Sequence, residues 1–390
     1  MSAASARPEL LAPAGDWDAL RAAVANGADA VYFGLPQFNA RHRATNFTPD
    51  DLPRVIAFLH AHNVRGYVTF NTLIFADELP DAVGFLKTIA AAGADAVIMQ
   101  DLGLALLAKR VAPTLPVHAS TQMTLTEPRG IEFCRRESGI ERVILARELS
   151  AADVEKVARG TQVPVEVFVH GALCVAYSGQ CLTSEALGGR SANRGQCAQA
   201  CRLPYEMVVD GQARDLGDRA YLLSPQDLAA YDLVEPLAKA GVVSFKIEGR
   251  LKSAHYVAAT TQTYRAAIDA LGVPGEAGSA GPLALTPQGR RDLEQCFSRG
   301  LTHGFLDGVN HQELVQGRFP KSRGVRVGTV VRTTKRGVLV ELSADEELVR
   351  PGDGVVFDLG KPEEDEPGGR VYEVLPSPPG PLSHKGRGGE

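Results

Sequence analysis

Short apolar runs alternate with amphipathic helical stretches along the first 271 residues, and each change of period separates one element from the next. Leu10 to Ala14 reads as a strand, followed by a helix that Asp16 caps and that runs to Asn26, with Gly27 at its end. The same unit recurs in Asp29 to Gly34 with Pro49 to Asn63, in Arg65 to Asn71 with Pro80 to Ala92, and in Ala94 to Gln100 with Leu102 to Val111. It continues in Pro116 to Ser120 with Pro128 to Ser138 and in Arg142 to Ala146 with Ala151 to Arg159. A seventh strand, Val165 to His170, precedes a helix expected over Pro225 to Ala240, and Val242 to Glu248 with Ser253 to Leu271 makes the eighth unit. Eight strands each followed by a helix predict a closed parallel β/α barrel. An open doubly wound sheet uses the same alternation and is the second choice. Gly27, Gly93 and Gly241 each stand between a helix and the next strand, where a left-handed residue stops the helix.

Alternation within the last two strands carries chemical information. In VEVFVH, Val165, Val167 and Val169 share one face and Glu166, Phe168 and His170 the other; in SFKIE, Phe245 and Ile247 oppose Ser244, Lys246 and Glu248. The apolar faces are expected against the helices, which puts Glu166, Lys246 and Glu248 in the lumen as one charged network, with His170 and Glu248 nearest the C-terminal mouth. His118 and Ser120, at the end of the fifth strand, and Asn71, at the end of the third, are expected at the same mouth, where barrel enzymes place their catalytic groups. A structural ion pair inside the barrel accounts for the carboxylates and the lysine equally well.

Between the seventh strand and the eighth lies a segment too rich in Gly, Ser and Arg to be core. It holds Cys174, Cys181, Cys197 and Cys201, separated by six, fifteen and three residues. The N-terminal MSAASARPELLAPAG has no apolar run of signal-peptide length, so the expectation is a cytoplasmic protein with reduced thiols, which argues against disulfides. Cys197-x3-Cys201 suits a zinc pair, but Cys174-x6-Cys181 is wider than zinc spacing. An iron–sulfur cluster accepts wider spacing because it bridges its own ligands; it is the first choice, ahead of zinc and of unligated thiols. Arg190, Arg194 and Arg202 surround these cysteines and suit either an anionic substrate or the solvation of a loop. Cys134 and Cys296 fall in helical patterns as small hydrophobes.

With 390 residues and 44% hydrophobic content, the chain has room for one large domain and one small one, and no apolar run approaches the length of a membrane span. Its net charge of -5 does not suit a surface wholly devoted to nucleic acid. The expected organisation is a barrel over 1–271 with the cysteine-rich insertion over 171–222, then a linker and helical segment over 272–317. A small β-barrel-like domain is expected over 318–376, with a disordered Pro- and Gly-rich tail over 377–390. From Arg318 to Arg336 there are seven basic and no acidic residues, a hairpin pattern that suits a phosphate backbone or a solvated strand edge. The chain contains no HExxH helix, GxSxG elbow or Walker phosphate loop.

Taken together, ELLAPAGDWDALRAAVANGADAVYFG, FNAR at Phe38, VHASTQM at Val117, EVFVHGALCVAYSGQC at Glu166, GGRSANRGQCAQACRLPY at Gly188 and FKIEGRLKSAHYVAATTQTYRAAID at Phe245 resemble successive motifs of one family. It is the collagenase-like peptidase family of unassigned catalytic type, numbered thirty-two. RSANRG and CRLPY are most similar to the branch that hydroxylates ribosomal RNA; sister branches hydroxylate a wobble uridine of tRNA or act in oxygen-independent ubiquinone synthesis. The resemblance implies a barrel carrying a 4Fe-4S cluster on Cys174, Cys181, Cys197 and Cys201, and prephenate as the source of the hydroxyl oxygen. On that basis Glu166, His170, Glu248, Lys246 and His118 are the catalytic candidates, the first three for moving protons. Arg41, Asn71, Arg190, Arg194 and Arg250 are the candidates for holding substrate, and RNA, ribosomal above all, is the expected partner. Metal-dependent peptidase activity, and a non-catalytic place in a multiprotein hydroxylase, are the alternatives. Longer relatives are expected to continue into further C-terminal domains.

Overall fold

The computed structural model describes residues 7–41, 43–271, 285–335, 337–342, 349–361 and 364–375. The chain divides into two compact units that part between Gly324 and Val325.

Eight strands form the core of the first unit: β1 (Glu9–Pro13), β2 (Ala30–Gly34), β3 (Arg65–Phe70), β4 (Ala96–Met99), β5 (Val117–Ala119), β6 (Arg142–Ile144), β7 (Val165–Ala172) and β8 (Val242–Ile247). Each pairs in parallel with its successor, and β8 also pairs in parallel with β1, which closes the sheet into a barrel. Helices cover the outside: α1 (Trp17–Ala25), α2 (Leu52–Ala61), α3 (Leu79–Ala91), α4 (Leu102–Val111), α5 (Pro128–Ser138), α6 (Ala151–Gly160), α7 (Val234–Lys239) and α8 (Ala254–Asp269). Their starts follow local chemistry. The Asp16 carboxylate accepts from the Ala19 amide at 2.8 Å, and Asp101, Ser150 and Ser253 cap α4, α6 and α8 in the same way. Gly27, Gly93 and Gly241 all take positive φ, as their positions between helix and strand require. Strands covered by helices outside and filled by side chains inside read as continuous apolar runs, and β1, β2 and β4 are buried along their whole length.

Two expectations need correction here. The helix expected over Pro225 to Ala240 is short, because Asp227–Ala229 instead pairs antiparallel with the end of β7 and parallel with Leu301–Thr302. Sheet pairing satisfies this backbone before α7 begins at Val234. The second correction is a bulge. The β7–β8 register runs Phe168 with Lys246 and then His170 with Ile247, so Val169 is extra and the alternation of β7 slips by one. His170 therefore shares the outward face of Ile247 and lies against Tyr256 and Tyr264 of α8, 3.3 Å from the Tyr264 hydroxyl.

The second unit holds two antiparallel pairs, Gly328–Thr334 with Gly337–Leu342 and Gly354–Val356 with Gly368–Arg370. Among the described residues these remain separate two-stranded sheets. The unit begins at Val325 rather than at 318, since Arg318 pairs with Asp218 at 2.6 Å and Ser322 accepts from the Ser298 amide. The expected linker is described only outside 272–284, and the expected tail lies outside the described residues. Among the described residues, no helix is long and apolar enough to cross a membrane.

Candidate active site at the barrel mouth

Charged side chains fill the lumen in two groups. At its floor, Glu9 accepts from the Tyr67 hydroxyl at 2.8 Å and the Ser244 hydroxyl at 3.1 Å, and pairs with Arg65 and Arg142. Arg142 also reaches Glu166 at 3.2 Å, and Lys246 donates to the other Glu166 oxygen at 3.2 Å. The Lys246 ammonium stands 4.2 Å from the centre of the Tyr32 ring. Burial opposes the charge on Glu166, but Lys246 and Arg142 outweigh it and hold the carboxyl below its usual range. Lys246 itself is pushed down, chiefly by burial. The alternation of β7 and β8 thus puts Glu166 and Lys246 in the lumen as expected.

His118 belongs with this floor group and not with the mouth. Its ring packs edge-on against Tyr67 with centroids 4.9 Å apart, and its buried Nδ1 has no hydrogen-bond partner among the described residues. Burial, then the Arg142 charge, pushes its pKa down to about 3, so the ring is neutral. His170 is likewise pushed down to about 4 by burial, against a smaller opposing effect of Asp227.

At the mouth, Glu248 follows directly on β8. One of its oxygens, Oε2, accepts from Arg41 at 3.0 Å and from Arg147 at 2.8 Å. Burial favours the neutral acid, yet Arg41, Arg147, Arg250 and Lys246 together keep Glu248 below the usual carboxylate range. Arg41 gains charge stability first from Glu248 and, beyond the cost of burial, from the nearby thiols of Cys174 and Cys197. The loop carrying Arg41 is held by Asn71, whose side-chain oxygen accepts from the Ala40 amide at 3.0 Å while its amide donates to Gln122 at 3.2 Å. Arg250 is buried among neutral acceptors, Thr69 at 2.8 Å and Asn39 and Asn46 at 2.7 Å each, and burial pushes its pKa down to about 10. It fits because β2 ends in Gly34, where any Cβ would collide with the guanidinium.

The cysteine segment crosses above this mouth and is fastened to several of its loops. Ser178 donates to Glu148 at 2.8 Å after β6, and its carbonyl accepts from Thr124 at 2.6 Å after β5. On the other side, the Asn193 carbonyl accepts from the Leu73 amide at 3.1 Å after β3, and Gly195 packs against the Asn39 carbonyl after β2. Arg202 ties the base of the segment to Ser224 at 2.7 Å. Two arginines expected at the substrate stand elsewhere. Arg194 is committed to Glu78, at 2.7 Å, and lies over the Phe75 ring, while Arg190 is exposed to solvent.

All six cysteines are free thiols. The Cys201 thiol is pushed up to about 11 by burial, with Arg202 opposing and Cys174, Cys197 and Cys181 adding to the rise. Cys201 is thus within electrostatic range of the other three thiols. Among the described residues, no three His, Cys, Asp or Glu side chains gather tightly enough to hold a single metal ion. Four thiols are the donor set that an iron–sulfur cluster takes, and a cluster bridges ligands that no single ion could gather. Sequence reasoning missed Arg147, Glu9, Tyr67 and Arg142. Arg147 had a signal, since it stands just beyond the C-terminal end of a barrel strand.

The model of peptidase family U32 matches residues 15–316. The chain is 39% identical over 363 residues to the 23S rRNA 5-hydroxycytidine C2501 synthase of Escherichia coli, covering 91% of this chain and 53% of that protein. It thus spans about half the length of that relative. It is 32% identical over 358 residues to tRNA hydroxylation protein P1 of Bacillus subtilis, covering 90% of this chain and 83% of that one. With a Collagenase of Porphyromonas gingivalis it shares 31% identity over 366 residues, covering 90% and 86%. The family match runs through the barrel, the charged mouth and the four-cysteine roof, and the chain belongs to peptidase family U32.

Proposed function

We propose that this chain is an RNA hydroxylase, acting on ribosomal RNA by preference, that carries a 4Fe-4S cluster on Cys174, Cys181, Cys197 and Cys201 and takes its oxygen from a prephenate-type donor. The observation that carries the reading is Arg41, which bonds Glu248 of the mouth and lies within electrostatic reach of Cys174 and Cys197 of the roof. This supports a reading in which the mouth and the thiols act together. The names of the Escherichia coli and Bacillus subtilis relatives support RNA as the substrate, and the cytoplasm is the place of action in this reading.

A bound cluster supplies electron transfer or Lewis acidity at the mouth. The remaining work falls to the chain's own side chains. Hydroxylating a carbon releases a proton, and Glu248, kept ionised by its guanidinium partners, is the carboxylate placed to accept it. Arg41 meets the carboxylates of the donor. Arg250 and Asn71 position the loop that presents Arg41, and the roof limits access of water to the lumen. Glu166 and Lys246 act below as structural support.

The test is nucleoside mass spectrometry of ribosomal and transfer RNA from cells with and without this gene. A hydroxylated base that disappears and returns with the wild-type gene, but not with Cys197→Ser, is the expected result; unchanged nucleosides overturn the reading. Peptidase activity is supported by the name of the Porphyromonas gingivalis relative. Gelatin cleavage by anaerobically purified protein that persists in Cys197→Ala is the result that would favour it.

A further inference from the structure

Arg142 and Arg147 flank β6, one before it and one after, and both are close to nine-tenths buried, with side chains 12% and 10% exposed. Their surroundings differ. Arg142 meets two carboxylates, Glu9 and Glu166, and is a finished structural cation. Among the described residues, the one carboxylate that Arg147 meets is Glu248, and it shares a single oxygen of it with Arg41. One negative charge thus serves two guanidiniums, and Arg250 and Lys246 add further positive charge around it. The guanidinium of Arg147 is held 3.8 Å over the Phe168 ring, which fixes its plane, while its buried Nε, like that of Arg250, has no hydrogen-bond partner among the described residues. A small cavity adjoins Arg147 on the side of α6, lined otherwise by apolar side chains such as Val154, Val167, Phe168 and Leu173; its other polar side chain, His303, is already bonded to Asp232 and Asp307. A buried charged donor without an acceptor is rare in a native protein unless something outside the chain completes it.

We propose that Arg147 is an oxyanion-docking residue of the mouth, presented by Glu248 and Phe168 to a carboxylate or phosphate oxygen of a substrate. The proposal rests on the hydroxylase reading and deepens it. A planar guanidinium stacked on an aromatic ring keeps its remaining donors in one fixed fork, the geometry that suits a two-oxygen anion. A small co-substrate brings a carboxylate and an RNA strand brings a phosphate; both present the same chemistry, and binding measurements separate them.

The experiment uses the full chain, prepared without air, as wild type, Arg147→Met and Arg147→Lys. Lysine keeps a cation beside Glu248, so this variant remains informative if methionine does not fold. Equilibrium binding is measured by titration calorimetry for prephenate, and by fluorescence anisotropy at several salt concentrations for a single-stranded RNA oligonucleotide. Arg147→Met is expected to weaken one of the two by roughly tenfold to a hundredfold, with Arg147→Lys recovering part of the loss. Loss for prephenate alone assigns a carboxylate. Loss for RNA alone, with a shallower salt dependence, assigns a phosphate. If wild type binds and both variants bind equally well, the assignment of Arg147 is overturned while the hydroxylase reading stands. If wild type binds neither probe and cellular nucleosides do not change, the hydroxylase reading falls and takes this one with it.

Discussion

The floor and the mouth of one lumen are both charged, yet they are built to different ends. At the floor, Glu9 and Glu166 face Arg65, Arg142 and Lys246, and the carboxylate oxygens are taken up by cations and hydroxyls. At the mouth, Glu248 faces Arg41 and Arg147, with Arg250 close by, and positive charge is left over. A closed network holds a barrel together. An open one, beneath a roof of four thiols, has capacity for a ligand. The lesson is that burial of charge alone does not mark a site; the balance of partners does.

The largest expected effect lies at the floor. Glu166→Ala strands Lys246 inside the barrel, leaves Arg142 with Glu9 alone, and should cost about 3–5 kcal/mol of stability. Adding Lys246→Met should recover part of that loss. Chemical denaturation measures both, and a loss near zero would remove the structural role assigned here.

Glu248→Gln sharpens the contrast, because it keeps shape and most hydrogen bonding while removing charge from an already cationic mouth. Its stability cost should be smaller, about 1–2 kcal/mol, while the yield of hydroxylated nucleoside falls roughly a hundredfold. Floor and mouth are not distinct if this variant unfolds as readily as Glu166→Ala.

Replacing Cys197 or Cys201 by Ser, or treating the protein with an iron chelator, should abolish iron and sulfide content and the visible absorbance of the anaerobic protein. Unfolding midpoints should move less than in Glu166→Ala, since the barrel strands close without the roof. Full retention of iron in all four single Cys→Ser variants would place the metal elsewhere.

At neutral pH the smallest effect is that of two buried histidines, which shows only on acidification. His118 and His170 are neutral in the folded protein, with pKa values of about 3 and about 4, against about 6.5 for a histidine in the unfolded chain. Between these values the unfolded state binds more protons, so stability rises with pH. Their contribution is complete above pH 6.5 and declines as pH falls toward 4 for His170 and toward 3 for His118. Thermal unfolding of a His118→Asn, His170→Asn double variant should be flatter across that window than wild type. The carboxylates Glu166 and Glu248, held below their usual range, act in the same direction: their contribution is present above the ordinary carboxylate range and is lost as pH falls below it.

His170 shows where local reading stops. Its place in VEVFVH puts it in the lumen by strict alternation, and one extra residue, Val169, turns it outward to Tyr264. Nothing in the local pattern announces that bulge, because it arises where Asp227–Ala229 docks on the end of β7. Asp227–Ala229 is itself the segment that helical periodicity misassigns. Arg194 shows the same limit from the other side: it lies among the cysteines in sequence, yet its charge is spent on Glu78 of a distant loop.

Periodicity, turn residues and helix caps act over a few neighbouring positions, so the chain alone determined eight strand-and-helix units, their order, and the inward set of Glu166 and Lys246. The run of four thiols and its flanking motifs likewise determined the kind of chemistry to look for. Which carboxylate closes on which cation depends on residues more than 100 positions apart, such as Arg41 with Glu248, and on registers set only when the barrel closes. Tertiary structure therefore decided that the floor is complete, that the mouth is not, and that Arg147 belongs to it.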